Sequence, residues 1–126
     1  MKKLILALAL LSLTQVTDAQ WVSKQKDGSF LIDTSVIGEG IKGFAGPTPV
    51  QITMKKDKIV SVVPLANQES PKYFKMATDG ILPKYVGKTV KLALQEQPDA
   101  VTGATRSSNA LKSTIRRGLR EYQDNK

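Results

Sequence analysis

Two apolar runs in the middle of the chain do most to limit the possible folds. Pro49-Val-Gln-Ile-Thr-Met54 and Ile59-Val-Ser-Val-Val-Pro-Leu-Ala66 are dense in β-branched residues, and only Lys55-Lys56-Asp57-Lys58 separates them. β-Branched side chains suit a pleated surface and lose rotamer freedom in a helix, so both runs read as strands. The short polar link between them leaves room only for a tight antiparallel connection, which predicts a central β-hairpin. Pro64 cannot donate to a ladder, so the second strand lies at an edge or ends there.

The rest of the chain supplies cover for that hairpin. Leu111, Ile115, Leu119 and Tyr122 recur at helical spacing, and Ala104 and Ser108 carry the stripe backwards, which predicts a final helix from Ser107 to Gln123. Lys112, Arg116, Arg117 and Arg120 fall mostly off the stripe, where cations suit the middle and end of a helix. Upstream, Pro71 is placed to open a helix. Tyr73, Phe74, Met76, Ala77, Ile81 and Leu82 give it a periodic face, while Gly80 and Pro83 predict two short helical pieces. A first strand is expected over Ser29 to Val36 and a short one in Lys88-Thr-Val-Lys-Leu-Ala-Leu94. With no internal repeat, these elements predict one α+β domain from about Trp21 to Tyr122. Its sheet is mainly antiparallel around the central hairpin, with helices packed on it, and the last helix follows the Thr-Gly-Ala-Thr junction.

The N-terminus has the pattern of an export signal over residues 1–19. Lys2 and Lys3 precede an apolar stretch from Leu4 to Leu13, broken only by Ser12, and Thr17 and Ala19 stand at the −3 and −1 positions of a cleavage site. A stretch that short cannot cross a hydrocarbon core as a helix, which takes ~20 residues. The expectation is therefore a periplasmic or extracellular chain, residues 20–126, with no transmembrane segment after cleavage; an uncleaved anchor is the alternative. Lys2, Lys3 and Asp18 leave with the signal, so the formal charge falls from +8 to +7.

Composition then removes whole classes of chemistry. The chain has no cysteine and no histidine, which excludes disulfides, thiolate or imidazole metal sites, and Ser-His-Asp or Cys-His catalysis. The positive charge raises a nucleic-acid reading. Its cations are spread along the chain, though, and one Trp, three Tyr and three Phe are few for base stacking. No nucleic-acid partner is expected.

Two segments remain. Gly38, Gly40, Gly43 and Gly46 crowd a loop that ends at Pro47, consistent with a flexible loop or with a close approach by something else. Asp99-Ala-Val-Thr102-Gly103-Ala104-Thr105 stands just before the last helix. A helix N-terminus presents unpaired N–H groups and favours phosphate, and Gly103 and Ala104 offer little bulk to keep one away. Simple capping by a threonine or by Asp99 fits the same residues.

That last segment resembles the flavinylation motif D-x-x-[ST]-G-A-[ST] of the FMN-binding domain family. The family includes the flavin-carrying C subunit of sodium-pumping NADH:quinone reductases and the G subunit of Rnf complexes. Asp27-Gly-Ser-Phe30, Gly40-Ile-Lys-Gly-Phe-Ala-Gly-Pro47, the hairpin and Glu69-Ser-Pro71 are similar to further landmarks in the family's order, so the likeness spans residues 27–122. Lys58 departs from it, standing where the hairpin turn often has glycine.

The resemblance implies that Thr105 carries FMN through a phosphoester bond. A separate FAD:protein FMN transferase makes that bond from FAD with magnesium, reading Asp99, Thr102, Gly103, Ala104 and Thr105. It also implies that Gly43, Phe44, Glu69, Ser70, Pro71, Thr102, Gly103 and Ala104 contribute to the cofactor site. No NAD(P)H fingerprint is present, so electrons are expected from one protein partner and passed to another. An electron carrier is thus expected rather than a stand-alone enzyme. An FMN-dependent reductase acting directly on a small substrate, and a non-redox module binding anions or membranes, are the alternatives.

Overall fold

The hairpin forms where the β-branched runs predict it. The computed structural model describes residues 21–126; the export segment expected over 1–19, and Gln20 after it, lie outside the described residues. Strands β1 (Val22–Lys24), β2 (Phe30–Asp33), β3 (Val50–Lys55) and β4 (Lys58–Pro64) make an antiparallel sheet in that order. Helix α1 (Pro71–Ile81) runs into a 3₁₀ turn (Leu82–Lys84), followed by α2 (Val90–Gln95) and α3 (Thr105–Asn125). The fold class is α+β, as expected. Pro64 is the last residue of β4, an edge strand.

The hairpin turn is made by Lys56 and Asp57, at φ 52° and 62°. Both are left-handed, the conformation that matches the twist of two paired strands. Lys58, marked in the sequence as an irregularity, is instead the first residue of β4. Asp57 is held from the far end of the molecule, its carboxylate accepting a hydrogen bond of 2.5 Å from the Tyr122 hydroxyl of α3. Tyr122 also meets Phe30 edge to face, with ring centroids 5.3 Å apart.

Helix α3 lies across the sheet and carries the core. Leu111, Ile115, Leu119 and Tyr122 are buried in one cluster with Ile32, Ile52 and Met54, and α1 packs on the same helix. Gly118 lets α3 come this close. A Cβ there would stand 2.9 Å from Thr34 Cγ2 and 3.1 Å from Ile52 Cδ1. Alanine stabilises an exposed helix position by up to ~1 kcal/mol over glycine. Here the overpacking should reverse the sign, and Gly118→Ala should destabilise by ~1–3 kcal/mol in urea unfolding. A neutral or stabilised variant would show that the helix can lift from the sheet freely.

Three expectations need correcting, and a fourth needs it in part. Lys88–Leu94 is not a strand: Thr89 caps α2, its hydroxyl accepting from Leu92 N–H at 3.3 Å. Val90 and Ala93 are buried at helical spacing, while Leu92, which alternation would have placed inside, is 55% exposed. The strand expected over Ser29–Val36 stops at Asp33, because the Asp33 carboxylate accepts from Ser35 N–H and turns the chain out of the sheet. The two helical pieces expected around Gly80 and Pro83 are present as α1 and the Leu82–Lys84 turn containing Pro83, but Gly80 lies inside α1 rather than between them. Finally, α3 begins at Thr105, two residues earlier than expected. Among the described residues, no helix is long and apolar enough to cross a membrane.

Candidate functional site

The Asp99–Thr105 segment folds as a turn locked onto two helices. Ala104 N–H donates to Val101 O at 2.9 Å, and Gly103 between them has φ +85°, a conformation that costs a side-chain-bearing residue ~1–2 kcal/mol. Val101 N–H donates to the buried Ser108 hydroxyl at 3.0 Å. Its side chain fills the space that Gly80 leaves open on α1. The turn is thereby fixed to both α1 and α3, and Thr105 becomes the first residue of a 21-residue helix.

That helix end is uncapped. Ala104 holds the N-cap position and no side chain caps it; the capping role weighed for a threonine or Asp99 is not filled. The first turn contains no acidic residue and does contain Arg106, a cation at the positive end of the helix dipole. Both choices weaken an isolated helix. They fit a helix end that receives an anion.

A groove of about 660 Å³ opens at this point, within the range of ligand sites. One wall is the helix end from Gly103 to Ser107; the other is Phe44, Ser70 and Tyr73. Phe44 is 73% exposed and Tyr73 49% exposed. The Arg106 guanidinium stands 5.6 Å from the centre of the Phe44 ring, and the Lys72 ammonium 5.7 Å from that of Tyr73.

Behind the walls, a single carboxylate ties the pieces together. Glu69 is buried; its Oε1 accepts from Phe44 N–H at 2.8 Å and from the Ser107 hydroxyl at 2.6 Å, and its Oε2 accepts from Ala45 N–H at 2.5 Å. Burial is the largest influence on this carboxyl and pushes its pKa up. The Ser107 hydroxyl and the N–H groups of Ala45, Phe44 and Gly46 together outweigh it, so Glu69 titrates below its ordinary 4.5. Gly43 has no positive φ, and its reason is the close approach: a Cβ there would collide with the Glu69 carboxylate and stand 3.1 Å from Thr48 Cγ2. Gly43→Ala should therefore displace the loop, lowering stability by ~1–3 kcal/mol and losing the chemical-shift signature of the hydrogen-bonded Phe44 and Ala45 amides. An alanine variant with both amides unshifted would contradict this.

The sequence-derived residues thus divide in two. Phe44, Ser70, Gly103, Ala104 and Thr105 line the groove. Gly43, Glu69 and Pro71 are not part of its lining, Pro71 being the exposed first residue of α1, and neither are Thr102 and Asp99, which are exposed. Tyr73, Arg106 and Ser107 line the groove without having been singled out as site residues. Tyr73 belongs to the periodic stripe of α1 and read as core, whereas Arg106 and Ser107 follow the motif with no signal of their own.

The fold and groove define a small α+β domain whose site suits a planar ligand bearing a phosphate: aromatic faces on one wall, an uncapped helix end on the other. The sequence model of the FMN-binding domain family matches residues 43–120, and the chain belongs to that family. No curated protein matches the chain. The match begins at Gly43 and takes in every residue that lines the groove. The residues fit FMN: N–H groups of the helix end and Arg106 for its phosphate, Phe44 and Tyr73 for its ring system.

Proposed function

We propose that this protein is an exported electron-transfer flavoprotein whose FMN is esterified through its phosphate to the Thr105 hydroxyl. The observation that carries the reading is the position of Thr105, an exposed hydroxyl at the first residue of an uncapped helix, on the wall of the groove. A phosphodiester there keeps one negative charge, which the helix end and Arg106 stabilise. FMN, when bound, supplies one- and two-electron redox chemistry, so that a two-electron donor can serve one-electron acceptors.

The chain's own work is to hold and orient. Gly103 and Ala104 bring backbone close to the phosphate, Phe44 and Tyr73 flank the ring system, and Glu69 fixes the loop that bears Phe44. The family resemblance supports modification of Thr105 by a separate FAD:protein FMN transferase that reads Asp99 to Thr105; because that enzyme supplies the activation, the absence of histidine and cysteine from this sequence is no obstacle. The electron donor and acceptor are separate proteins. A covalent tether suits export: where free FMN is scarce, even a Kd of ~1 µM, about −8 kcal/mol, leaves most sites empty.

Co-expression with a transferase, followed by intact mass measurement, tests the reading. The protein should gain the mass of one FMN less one water, retained through denaturation. A protein that acquires no flavin would point to the anion-binding alternative. Steady turnover of a small substrate without a protein partner would favour the reductase.

A further inference from the structure

A second pocket lies on the flank of α3, away from the groove walls. It holds about 370 Å³ and is framed by Tyr85, Glu96, Asn109, Lys112 and Arg116. Asn109, Lys112 and Arg116 fall on one face of the helix, three and seven residues apart from the first. Tyr85 comes from the turn after α1, and Glu96 from the end of α2.

Three side chains of the pocket keep donors that no protein group takes up among the described residues. Tyr85 is only 3% exposed, yet among the described residues no protein group hydrogen-bonds its hydroxyl; that hydroxyl is not sealed in the core either, and the residue lines the pocket. Burial, with Arg116 pulling down and Glu96 pushing up, raises the phenol to about 12, which keeps it a donor at neutral pH. Arg116 is half-buried and makes no ion pair among the described residues. Lys112 donates to Pro98 O at 2.8 Å, and its ammonium has two further N–H groups to give. The pocket's acid, Glu96, is taken up by an ion pair with Lys88.

We propose that this pocket binds a small carboxylate. The phenol, guanidinium, ammonium and Asn109 amide present donors to a space where the one carboxylate is already neutralised, so the complement is a group that only accepts. The planar guanidinium fork matches a carboxylate in two parallel hydrogen bonds. Each carboxylate group places one charge at the guanidinium where a phosphate group can place two, so it tolerates the nearby Glu96 better. The volume is large enough for a short dicarboxylate. None of this depends on the flavin reading, since the pocket and the groove share no lining residue.

The test is an NMR titration of the purified full chain, with and without flavin, using succinate in a buffer free of other carboxylates. Saturable shifts are expected at the Tyr85 and Asn109 amides and the Arg116 Nε–H. Arg116→Gln should weaken binding ~10-fold or more and Tyr85→Phe ~5-fold, the loss of charge-assisted and single hydrogen bonds respectively. Arg120→Gln, an exposed cation elsewhere on α3, should change nothing. A parallel titration with a hexaglutamate peptide separates the sources. Tighter binding than succinate at the same residues assigns the pocket to an acidic side chain of a protein partner, and weaker binding assigns it to a free metabolite. Absence of a saturable shift up to ~20 mM, weaker than any useful ligand, overturns the proposal. So does inorganic phosphate binding more tightly than succinate, or folded Arg116→Gln and Tyr85→Phe variants that bind like the parent.

Discussion

Replacing Thr105 with valine should abolish covalent flavin while leaving the domain folded. In the proposed transfer, the Thr105 Oγ–P bond would form as the pyrophosphate P–O bond of FAD breaks, with AMP as the leaving group and loss of the hydroxyl proton. Valine keeps the shape of threonine and removes the one atom that can form the bond. Thr105 is exposed, caps nothing, and its side chain makes no hydrogen bond in the described structure, so the stability change should stay within ~0.5 kcal/mol. Thr102, three residues earlier, is the contrast. It is also exposed, but sits in the turn next to Gly103, outside the groove lining. Thr102→Val should still gain the mass of FMN less water, at worst with slower labelling, because in the proposed reading the transferase recognises that position without esterifying it. After co-expression with the transferase, in-gel flavin fluorescence of the denatured protein should be present for the parent and Thr102→Val and absent for Thr105→Val. Covalent flavin on the Thr105→Val protein would sink the assignment, and peptide mapping would then show which hydroxyl carries it.

The contrast between these threonines also shows what the residues alone disclosed. The helix was legible because the spacing from Leu111 to Tyr122 is long and regular, and the motif because Asp99, Thr102, Gly103, Ala104 and Thr105 fill every specified position of it; the structure adds the reason for Gly103, a φ of +85°. The hairpin was legible for the same kind of reason, two β-branched runs with a short link. Local signals failed where tertiary contacts decide. Lys88–Leu94 is β-prone by composition, yet Val90–Gln95 forms a short helix capped by Thr89 and packed on α3. Tyr73 shares a helical stripe with Phe74 and Ala77, and only the position of α1 against the groove exposes it. The roles within the Glu69-Ser-Pro71 loop were likewise invisible, because nothing in the sequence says that Ser70 faces the groove while Glu69 turns inward to meet Phe44, Ala45 and Ser107.

That inward turn makes Glu69 the residue on which the groove's shape rests, and Glu69→Gln should expose it. Three donors converge on the carboxylate, and both oxygens are used. A glutamine offers one acceptor and sets an amide N–H₂ against a backbone N–H on the other side, so at least one donor loses its partner. Hydrogen bonds to a buried charged group contribute more than neutral ones, and an unsatisfied donor adds its own penalty; together the loss should be ~2–4 kcal/mol in urea unfolding at neutral pH. The pH dependence gives a signature that a general packing defect lacks. The native carboxyl titrates below its ordinary 4.5, so the unfolded chain binds the proton first. The stabilisation is fully present above that ordinary value and is lost as pH falls through the native one. The gap between parent and Glu69→Gln should therefore be widest at neutral pH and narrow steadily below pH 4.5. Flavin loading should follow the same residue, because Phe44 and the first turn of α3 are the two walls that Glu69 joins: Glu69→Gln should load more slowly than the parent even where both are folded. A gap that stays constant into acid would mean that the carboxylate charge is not what holds the loop, and would move the weight of the site to the packing of Gly43 against its neighbours.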